Sequence, residues 1–190
     1  AFFANQDEFK RLYERAERNT RLRKKTIKAS ALFSAFMEER KNTGRIYLMN
    51  VDHANDHSSF KADVAPIKQS NLCCEINLPT KPLKSLEDPE GEIALCTLSA
   101  INWGLVRNPG DFEKPCALAV RGLDALLSYQ NYPVEAARNS TMKRRPLGIG
   151  IINLAYFLAK NNTTYSNPNL ELVDQYAEAW SYYLIKASAD

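Results

Sequence analysis

The sequence contains a long central segment in which apolar residues follow neither the helical nor the strand period. It runs from Asp52 to Ser70 and is rich in Asp, Asn, Ser and Pro, the residues that favour turns. Amphipathic patterns lie on both sides of it. Because an unstructured connection of this length is uncommon inside a compact domain unless it has a task, we expect a functional loop here.

The residues that end this segment suggest a reactive site. Residues 70–76 place a carboxamide, a thiol and a carboxylate at two-residue intervals. In an extended backbone successive side chains alternate between two sides, so Asn71, Cys73 and Glu75 are predicted to share one side while Cys74 projects to the other. An amide, a sulfur and an acid–base group in one small space form a candidate catalytic constellation.

Composition limits the classes of protein to which the chain can belong. With 190 residues, of which 45% are hydrophobic and 25% charged, it is long enough for one globular domain with a core. The net charge of +3 gives no argument for a nucleic-acid or membrane partner. No apolar run approaches the roughly 20 residues of a membrane span, and we predict a cytoplasmic protein. The first residues, 1–4, resemble no secretory signal, and we expect a chain cut from a longer one or processed.

The four cysteines fit neither a small disulfide scaffold nor a zinc site with paired C-x-x-C ligands. We therefore predict no metal site and a reducing compartment. Cys96 falls in an apolar run at 92–99 that predicts a strand covered on both faces, where a cysteine is more often an inert core residue than a reactive one. Cys116 lies on the apolar stripe of a helix and is most simply a core residue.

Periodicity predicts a largely helical chain with short strands. Thr20 is a candidate helix N-cap, and Gly44 is expected to end the same helix. The basic run at 21–28 is interpreted as a solvated helix face rather than a nucleotide-binding patch. The predicted helices cover 5–17, 20–40, 114–129, 134–140, 151–160 and 170–187, and the predicted strands cover 45–51 and 92–99.

Two further motifs have alternative interpretations. His53 and His57 are four residues apart beside Asp, which suits a metal only on a helix, and their Asn- and Asp-rich surroundings argue against a helix. We favour histidines that hydrogen-bond the backbone of their own loop. Gly148 and Gly150, next to two arginines, could hold a phosphate, but the spacing matches no nucleotide-binding motif, and a tight turn or close backbone approach is favoured.

Several segments, in order along the chain, together carry a family likeness. They are Gly44–Tyr47, Asn50–His53, Ser70–Cys73, Glu75–Ile76, Leu78–Leu83, Gly91–Ser99, Arg144–Arg145, Leu147–Gly150 and Asn153–Tyr156. These segments closely resemble the large, catalytic subunit of class I ribonucleotide reductase, in its bacterial and T4-like phage branch. The chain resembles a central piece of that longer subunit.

The resemblance implies an α/β fold that is mostly helical by residue count. The family fold is a ten-stranded α/β barrel of two five-stranded halves, with a finger loop through its centre and a catalytic thiol at the fingertip. This chain would be a single partial segment of that barrel. It would supply helices at 1–43, barrel strands and the finger loop, at about 56–78, within 44–105, and further helices at 106–190.

The resemblance also implies an activity, the conversion of ribonucleoside diphosphates to 2′-deoxyribonucleoside diphosphates by thiyl-radical chemistry, as part of a larger catalytic chain. Cys73 is similar to the family's radical cysteine, which takes the 3′ hydrogen atom of the ribose. Glu75 is similar to the general base for the 3′-hydroxyl, and Ser70 and Asn71 to substrate-binding residues, of which the amide hydrogen-bonds a substrate hydroxyl. Cys96 is similar to one of two cysteines that reduce the 2′ carbon, with its partner outside this chain.

The same resemblance implies partners. A metal-containing small subunit would supply the radical, nucleotide effectors would bind regions outside this chain, and a reductant of the thioredoxin or glutaredoxin type would restore the thiols. This segment would bind no cofactor itself. Cys74 departs from the family, which has no catalytic residue at this position, and we interpret it as a packing residue.

Two other classes of function stay open from the sequence. One is a non-catalytic structural or assembly fragment of the same family, which is disfavoured because the matching site positions are all present. The other is a small thiol–disulfide oxidoreductase that uses adjacent thiols at 73–74 or the thiol at 96. That class is disfavoured because the chain has no C-x-x-C at a helix start.

Overall fold

The structure, a computed structural model, describes residues 5–190. The chain divides into two compact units, Ala1–Pro79 and Thr80–Asp190, and each is described by itself. The sequence-based division at 43 and 105 stays a prediction. Residues 1–4, including the start for which processing was expected, lie outside the described part.

The first unit begins with two helices. Helix α1 spans Gln6–Arg18, and the Asn5 side chain caps it by accepting a hydrogen bond from the Glu8 N–H at 2.9 Å. Helix α2 spans Ala29–Thr43 and ends at Gly44, whose φ of 65° is the left-handed conformation that glycine adopts readily. The predicted end at Gly44 is therefore confirmed.

The predicted start of α2 at Thr20 is wrong, because the helix begins only at Ala29. The residues before it include Arg21, Lys24, Lys25 and Lys28. In a helix these side chains would lie three and four residues apart on one face, where like charges repel. That repulsion opposes the extension of α2 toward its N-terminus.

The predicted strand at 45–51 is not formed. Residues 45–50 are neither helix nor strand, and a short helix, α3, follows at Val51–Asp56. A strand needs a neighbouring strand to pair with, and the described residues of this unit contain none. The Asn55 side chain instead links α3 to the loop: its Nδ2 donates to the carbonyl oxygens of Val51 (2.9 Å) and Ile67 (2.8 Å), and its Oδ1 accepts from the Ile67 N–H (2.8 Å).

The second unit is a pair of parallel strands connected and covered by helices. Strand β1 (Leu98–Asn102) pairs with β2 (Gly148–Ile152), with Leu98 opposite Gly148. Parallel strands require a long crossover, which two helices supply here. In chain order the helices of this unit are α4 at Glu113–Tyr129, α5 at Glu135–Arg144, α6 at Leu154–Lys160 and α7 at Leu170–Ala189.

Helices α4, α5 and α7 confirm the predictions at 114–129, 134–140 and 170–187, with α5 extending further than predicted. The predicted helix at 151–160 is correct only in its second part, because Ile151 and Ile152 belong to β2. A short apolar run fits a buried helix and a strand equally well.

Gly148 and Gly150 do not form the tight turn that was one of the two favoured interpretations, because both lie in strand β2. The close backbone approach is present at Gly148, where an added Cβ would lie 2.6 Å from Leu98 Cδ2. Because this contact is with the end of an exposed side chain that can move, it favours a small residue opposite Leu98 without requiring glycine.

The strand predicted at 92–99 is also largely wrong. Only its last two residues fall in β1, and residues 93–97 form no strand. Glu92 makes an isolated antiparallel bridge with Lys81, and the Ile93 N–H donates to the Ala136 carbonyl oxygen at 3.0 Å. This segment is therefore attached to helix α5 rather than to a sheet.

An aromatic cluster forms the core of the second unit. Trp103, 1% exposed, contacts Phe112, Phe157, Tyr176 and Trp180 with ring centroids 5.4 to 6.3 Å apart. The Tyr176 hydroxyl donates to the Arg107 carbonyl oxygen at 2.7 Å, and burial raises the pKa of that phenol. Large aromatic rings packed edge to face contribute more than their buried area alone. They connect Phe112, directly before α4, with α6 and α7.

Glu92 forms two ion pairs that also stabilise the second unit. Its nearly buried carboxylate lies 2.8 Å from Lys143 Nζ and 2.6 Å from an Arg144 guanidinium nitrogen. Burial alone would raise the pKa of Glu92, but hydrogen bonds from Lys143 and Arg144 and their positive charges hold it below its ordinary value. These ion pairs attach the residues before Cys96 to the end of α5.

The mostly helical composition is confirmed, whereas the described residues contain a sheet of two strands and not ten. None of the helices in the described part is long and apolar enough to cross a membrane.

We predict that Trp103→Ala destabilises the protein by about 3–5 kcal/mol, because it leaves a cavity among four aromatic rings. Urea unfolding followed by circular dichroism measures the change. Tyr129→Ala is the control, since that ring is 89% exposed, and we expect no significant change there. Equal losses in the two variants would contradict the assignment of Trp103 to the core.

We predict that Glu92 stabilises the fold in a pH-dependent manner. Its pKa is lower in the folded chain than the roughly 4.3 of an unfolded glutamate, so its contribution is present above about pH 4.3 and is lost as the pH falls through the folded value. The difference in urea midpoint between wild type and Glu92→Gln should therefore be largest at neutral pH and shrink in acid. The exposed Glu90 also has an ion pair, and Glu90→Gln should show little difference at either pH. A Glu92 effect independent of pH would refute the explanation.

Candidate active site

The cysteine-containing segment forms a tight turn. The Cys74 N–H donates to the Asn71 carbonyl oxygen at 3.1 Å, which places Leu72 and Cys73 at the tip of the turn. Cys74 itself has a φ of 62°, in the left-handed region that residues other than glycine rarely occupy. The extended backbone from which alternating side chains were predicted is therefore wrong.

Two side chains fasten the base of this turn. Asn71 Oδ1 accepts a hydrogen bond from the Ile76 N–H at 3.0 Å, and the Ser70 hydroxyl donates to the Ile76 carbonyl oxygen at 2.7 Å. The Ser70 oxygen also lies 3.2 Å from Asn71 Oδ1. Both backbone polar groups of Ile76 are thus satisfied by side chains for which the family resemblance implied contacts with substrate. The substrate-binding roles of Ser70 and Asn71 stay predictions.

The turn distributes its reactive groups differently from an extended strand. Cys73 and Glu75 are exposed, and Cys74 is half-buried. Cys74 and Glu75 line the same cavity, of about 540 Å³, so the prediction that Cys74 projects away from Glu75 is not met. The exposed thiol of Cys73 and the carboxylate of Glu75 are both accessible for chemistry.

The same cavity is lined by His53 and His57, a proximity that the sequence interpretation missed. His53 lies on α3 and His57 follows its last residue, with ring centroids 6.4 Å apart. The argument against a helix here was wrong, because Asn55 bonds to the helix and to the loop as described above. The i, i+4 spacing of the two histidines was the signal that could have identified it. Among residues 5–190, no three His, Cys, Asp or Glu side chains are arranged to hold a metal ion.

Cys96 belongs to the second unit and is exposed, not buried in a strand as predicted. Its neighbour Thr97 is buried, and the Thr97 carbonyl oxygen accepts a hydrogen bond from the Gly148 N–H at 2.9 Å, just before β1 begins. The backbone at Cys96 is therefore held next to the sheet while its side chain is accessible. This position suits a reactive thiol better than the predicted one does.

Cys116 differs from the other three cysteines. It is fully buried on α4, as the sequence predicted, and burial raises the pKa of its thiol to about 11. Because the thiolate is the reactive form of a cysteine, this residue is chemically inert at neutral pH.

Comparison with known proteins places these elements in a family. The family model described as ribonucleotide reductase, barrel domain, matches residues 2–190. The chain therefore belongs to the ribonucleotide reductase family, as its motifs predicted.

Individual relatives agree along the whole chain. The chain is 56% identical over 189 residues to the ribonucleoside-diphosphate reductase subunit alpha of Haemophilus influenzae. It is 55% identical over 189 residues to the ribonucleoside-diphosphate reductase 1 subunit alpha of Escherichia coli strain K12. It is 44% identical over 193 residues to the subunit alpha of Enterobacteria phage T4. Each alignment covers 99% of this chain but only 24–25% of the relative. The chain thus spans about a quarter of the length of these curated relatives.

We predict that the thiols differ sharply in their reaction with iodoacetamide at about pH 8, where exposed cysteines are partly thiolate. Cys73 should be alkylated in the native protein, whereas Cys116 should react only after unfolding in urea. Mass spectrometry of the digested protein identifies the labelled residues. Alkylation of both at equal rates in the native state would contradict the difference in burial.

Proposed function

We propose that this chain supplies the radical cysteine, a general base and one reducing thiol of a ribonucleoside-diphosphate reductase, acting as part of a larger catalytic chain. The observation that carries the proposal is an exposed thiol, Cys73, at the tip of a side-chain-fastened turn, two residues before an accessible carboxylate, in a member of this family. Relatives of high identity bear the name ribonucleoside-diphosphate reductase subunit alpha.

The proposed reaction replaces the 2′-hydroxyl of the ribose with hydrogen. The Cys73 sulfur, as a thiyl radical, takes the 3′ hydrogen atom and later returns it. Glu75 accepts the 3′-hydroxyl proton, a role that needs a carboxylate within hydrogen-bond reach of the sugar. Cys96 and a second thiol outside this chain give two electrons and two protons, the 2′ oxygen leaves as water, and the two sulfurs are left joined as a disulfide.

Asn71 and Ser70 would position this chemistry. Their bonds to Ile76 fix the turn that presents Cys73, and a fixed reacting group lowers the entropic part of a barrier. We propose that the Asn71 amide and Ser70 also contact substrate hydroxyls. The radical itself would come from a metal-containing small subunit, which supplies one oxidising equivalent to Cys73.

We further propose that β1 and β2 are two of the ten strands of an α/β barrel, completed by the rest of the larger chain. A sheet of two parallel strands is not independently stable. Ile151, Ile152 and Leu98 are 38–54% exposed on these strands, as expected if other strands or helices cover them. The same proposal includes a cytoplasmic location, nucleotide effectors that bind regions outside this chain, and a reductant of the thioredoxin or glutaredoxin type.

The test uses the complete large subunit assembled with its small subunit. Cys73→Ser should reduce nucleotide reduction to background, because oxygen holds its hydrogen too strongly to exchange it as sulfur does. Glu75→Gln should lower the turnover rate by about 10²–10⁴-fold, which is the usual contribution of a general base. Both variants should assemble normally by gel filtration.

Cys74→Ser is the matched control. It retains the size of the side chain and has the same cost at a positive φ, so it should preserve both assembly and turnover. Undiminished reduction by Cys73→Ser or Glu75→Gln would refute the site assignment and leave a non-catalytic, structural role for the chain.

A further inference from the structure

The turn carries two adjacent thiols, and the proposed function uses only one of them. Cys73 is exposed at the tip of the turn, and Cys74 follows it directly as a half-buried residue. Neither the hydrogen bonds that hold the turn nor the proposed reaction needs a sulfur at position 74. A thiol beside an accessible, reactive thiol is the arrangement found where a second cysteine resolves an oxidised first one.

We propose that Cys74 is a resolving cysteine, which traps an oxidised Cys73 as a reversible Cys73–Cys74 disulfide. The oxidant is a hydroperoxide. This role goes beyond nucleotide reduction, although its value to the enzyme rests on the proposed function of Cys73.

The bent backbone at this turn removes one obstacle to a bond between the two sulfurs. In an extended chain the side chains of neighbouring residues point to opposite faces, which would keep the thiols apart. Here the turn at Asn71–Cys74 and the left-handed φ of 62° at Cys74 bend the chain between them. The Cys73 and Cys74 side chains therefore do not follow the strand-like alternation that would prevent a disulfide between them.

The resulting disulfide would be readily reduced. Cα atoms across a trans peptide are about 3.8 Å apart, closer than the roughly 4.4–6.8 Å of ordinary disulfides, so the bond would be strained. Strained, accessible disulfides are the labile ones that thiol reductants open. The product is therefore a temporary state of Cys73 and not a permanent cross-link.

The chemistry proceeds in two balanced steps. The Cys73 thiolate attacks the hydroperoxide, so an S–O bond forms, the O–O bond breaks, and the peroxide is reduced by two electrons as Cys73 becomes a sulfenic acid. The Cys74 sulfur then attacks the Cys73 sulfur. An S–S bond forms, the S–O bond breaks, and the hydroxyl leaves as water with the Cys74 proton.

Cys74 is next to Cys73 in the sequence, whereas Cys116 is unsuited to this role. Cys116 is buried away from solvent, and burial raises the pKa of its thiol to about 11, so little thiolate is present at neutral pH. Without a resolving thiol, a sulfenic acid exposed to more peroxide proceeds to the sulfinic acid, which ordinary thiols do not reverse. A hydroperoxide is smaller than a nucleotide and reaches Cys73 wherever a substrate can.

The test compares wild type and Cys74→Ser as complete large subunits treated with a molar excess of hydrogen peroxide over total thiol and then with N-ethylmaleimide. The tryptic peptide at 69–84 contains Cys73 and Cys74 and no other cysteine, because the Lys81–Pro82 bond resists trypsin. In wild type this peptide should lose two hydrogen atoms and carry no maleimide. In Cys74→Ser it should instead gain two oxygen atoms on Cys73.

Dithiothreitol adds a second readout. It should return the wild-type peptide to two free thiols and restore nucleotide reduction, whereas Cys74→Ser should recover neither. A wild-type peptide that accumulates sulfinic acid as fast as the variant would overturn the proposal, as would Cys73 joined to a cysteine of another peptide. The mass readout needs no reductase activity, so failure of the proposed function and failure of this inference give different results.

Discussion

The turn at Asn71–Cys74 depends on two side chains that hold one backbone residue. Asn71 and Ser70 satisfy the N–H and the carbonyl oxygen of Ile76, groups that would otherwise pair with a neighbouring strand or with water. Because those groups are already hydrogen-bonded, Ile76 is not available to pair with a neighbouring strand. The chain reverses instead, and Cys73 stands at the tip. Presentation of the thiol is therefore a consequence of local hydrogen bonds, made by residues next to it in sequence.

A similar device operates earlier in the loop. Asn55 bonds to Val51 within α3 and to both backbone groups of Ile67, so an amide again replaces regular secondary structure as the support of a long connection. In the second unit a carboxylate has this role, since Glu92 attaches an irregular segment to α5. Segments with few regular hydrogen bonds are thus held at specific points by buried or half-buried polar side chains, a usual way to give a loop one conformation.

The sequence predicted correctly those features that depend on burial or on local backbone conformation within this chain. The apolar stripes of α4 and α7, the buried Cys116 and the end of α2 at Gly44 were all predicted, because each depends on contacts or conformations of nearby residues. The strands at 45–51 and 92–99 were wrong, since pairing depends on a partner that no periodic pattern specifies. Alternation at 70–76 failed for another reason: a side-chain amide competed with the extended backbone. The family, by contrast, was recognised from motifs. The residue types in such motifs are restricted by the chemistry of the site more than by folding. The roles of Cys73, Glu75 and Cys96 stay predictions.

The central claim is that the Cys73 sulfur removes the 3′ hydrogen atom of a ribonucleotide. The most direct measurement is the competitive reduction of a ribonucleoside diphosphate and its 3′-deuterated form by the complete, assembled reductase, with the isotope content of the remaining substrate followed by mass spectrometry. The account predicts that the substrate with hydrogen is consumed faster, so that deuterium accumulates in the remainder, and that the reduced product retains its 3′ deuterium. Equal consumption of both substrates, with deuterium lost from the product, would contradict it.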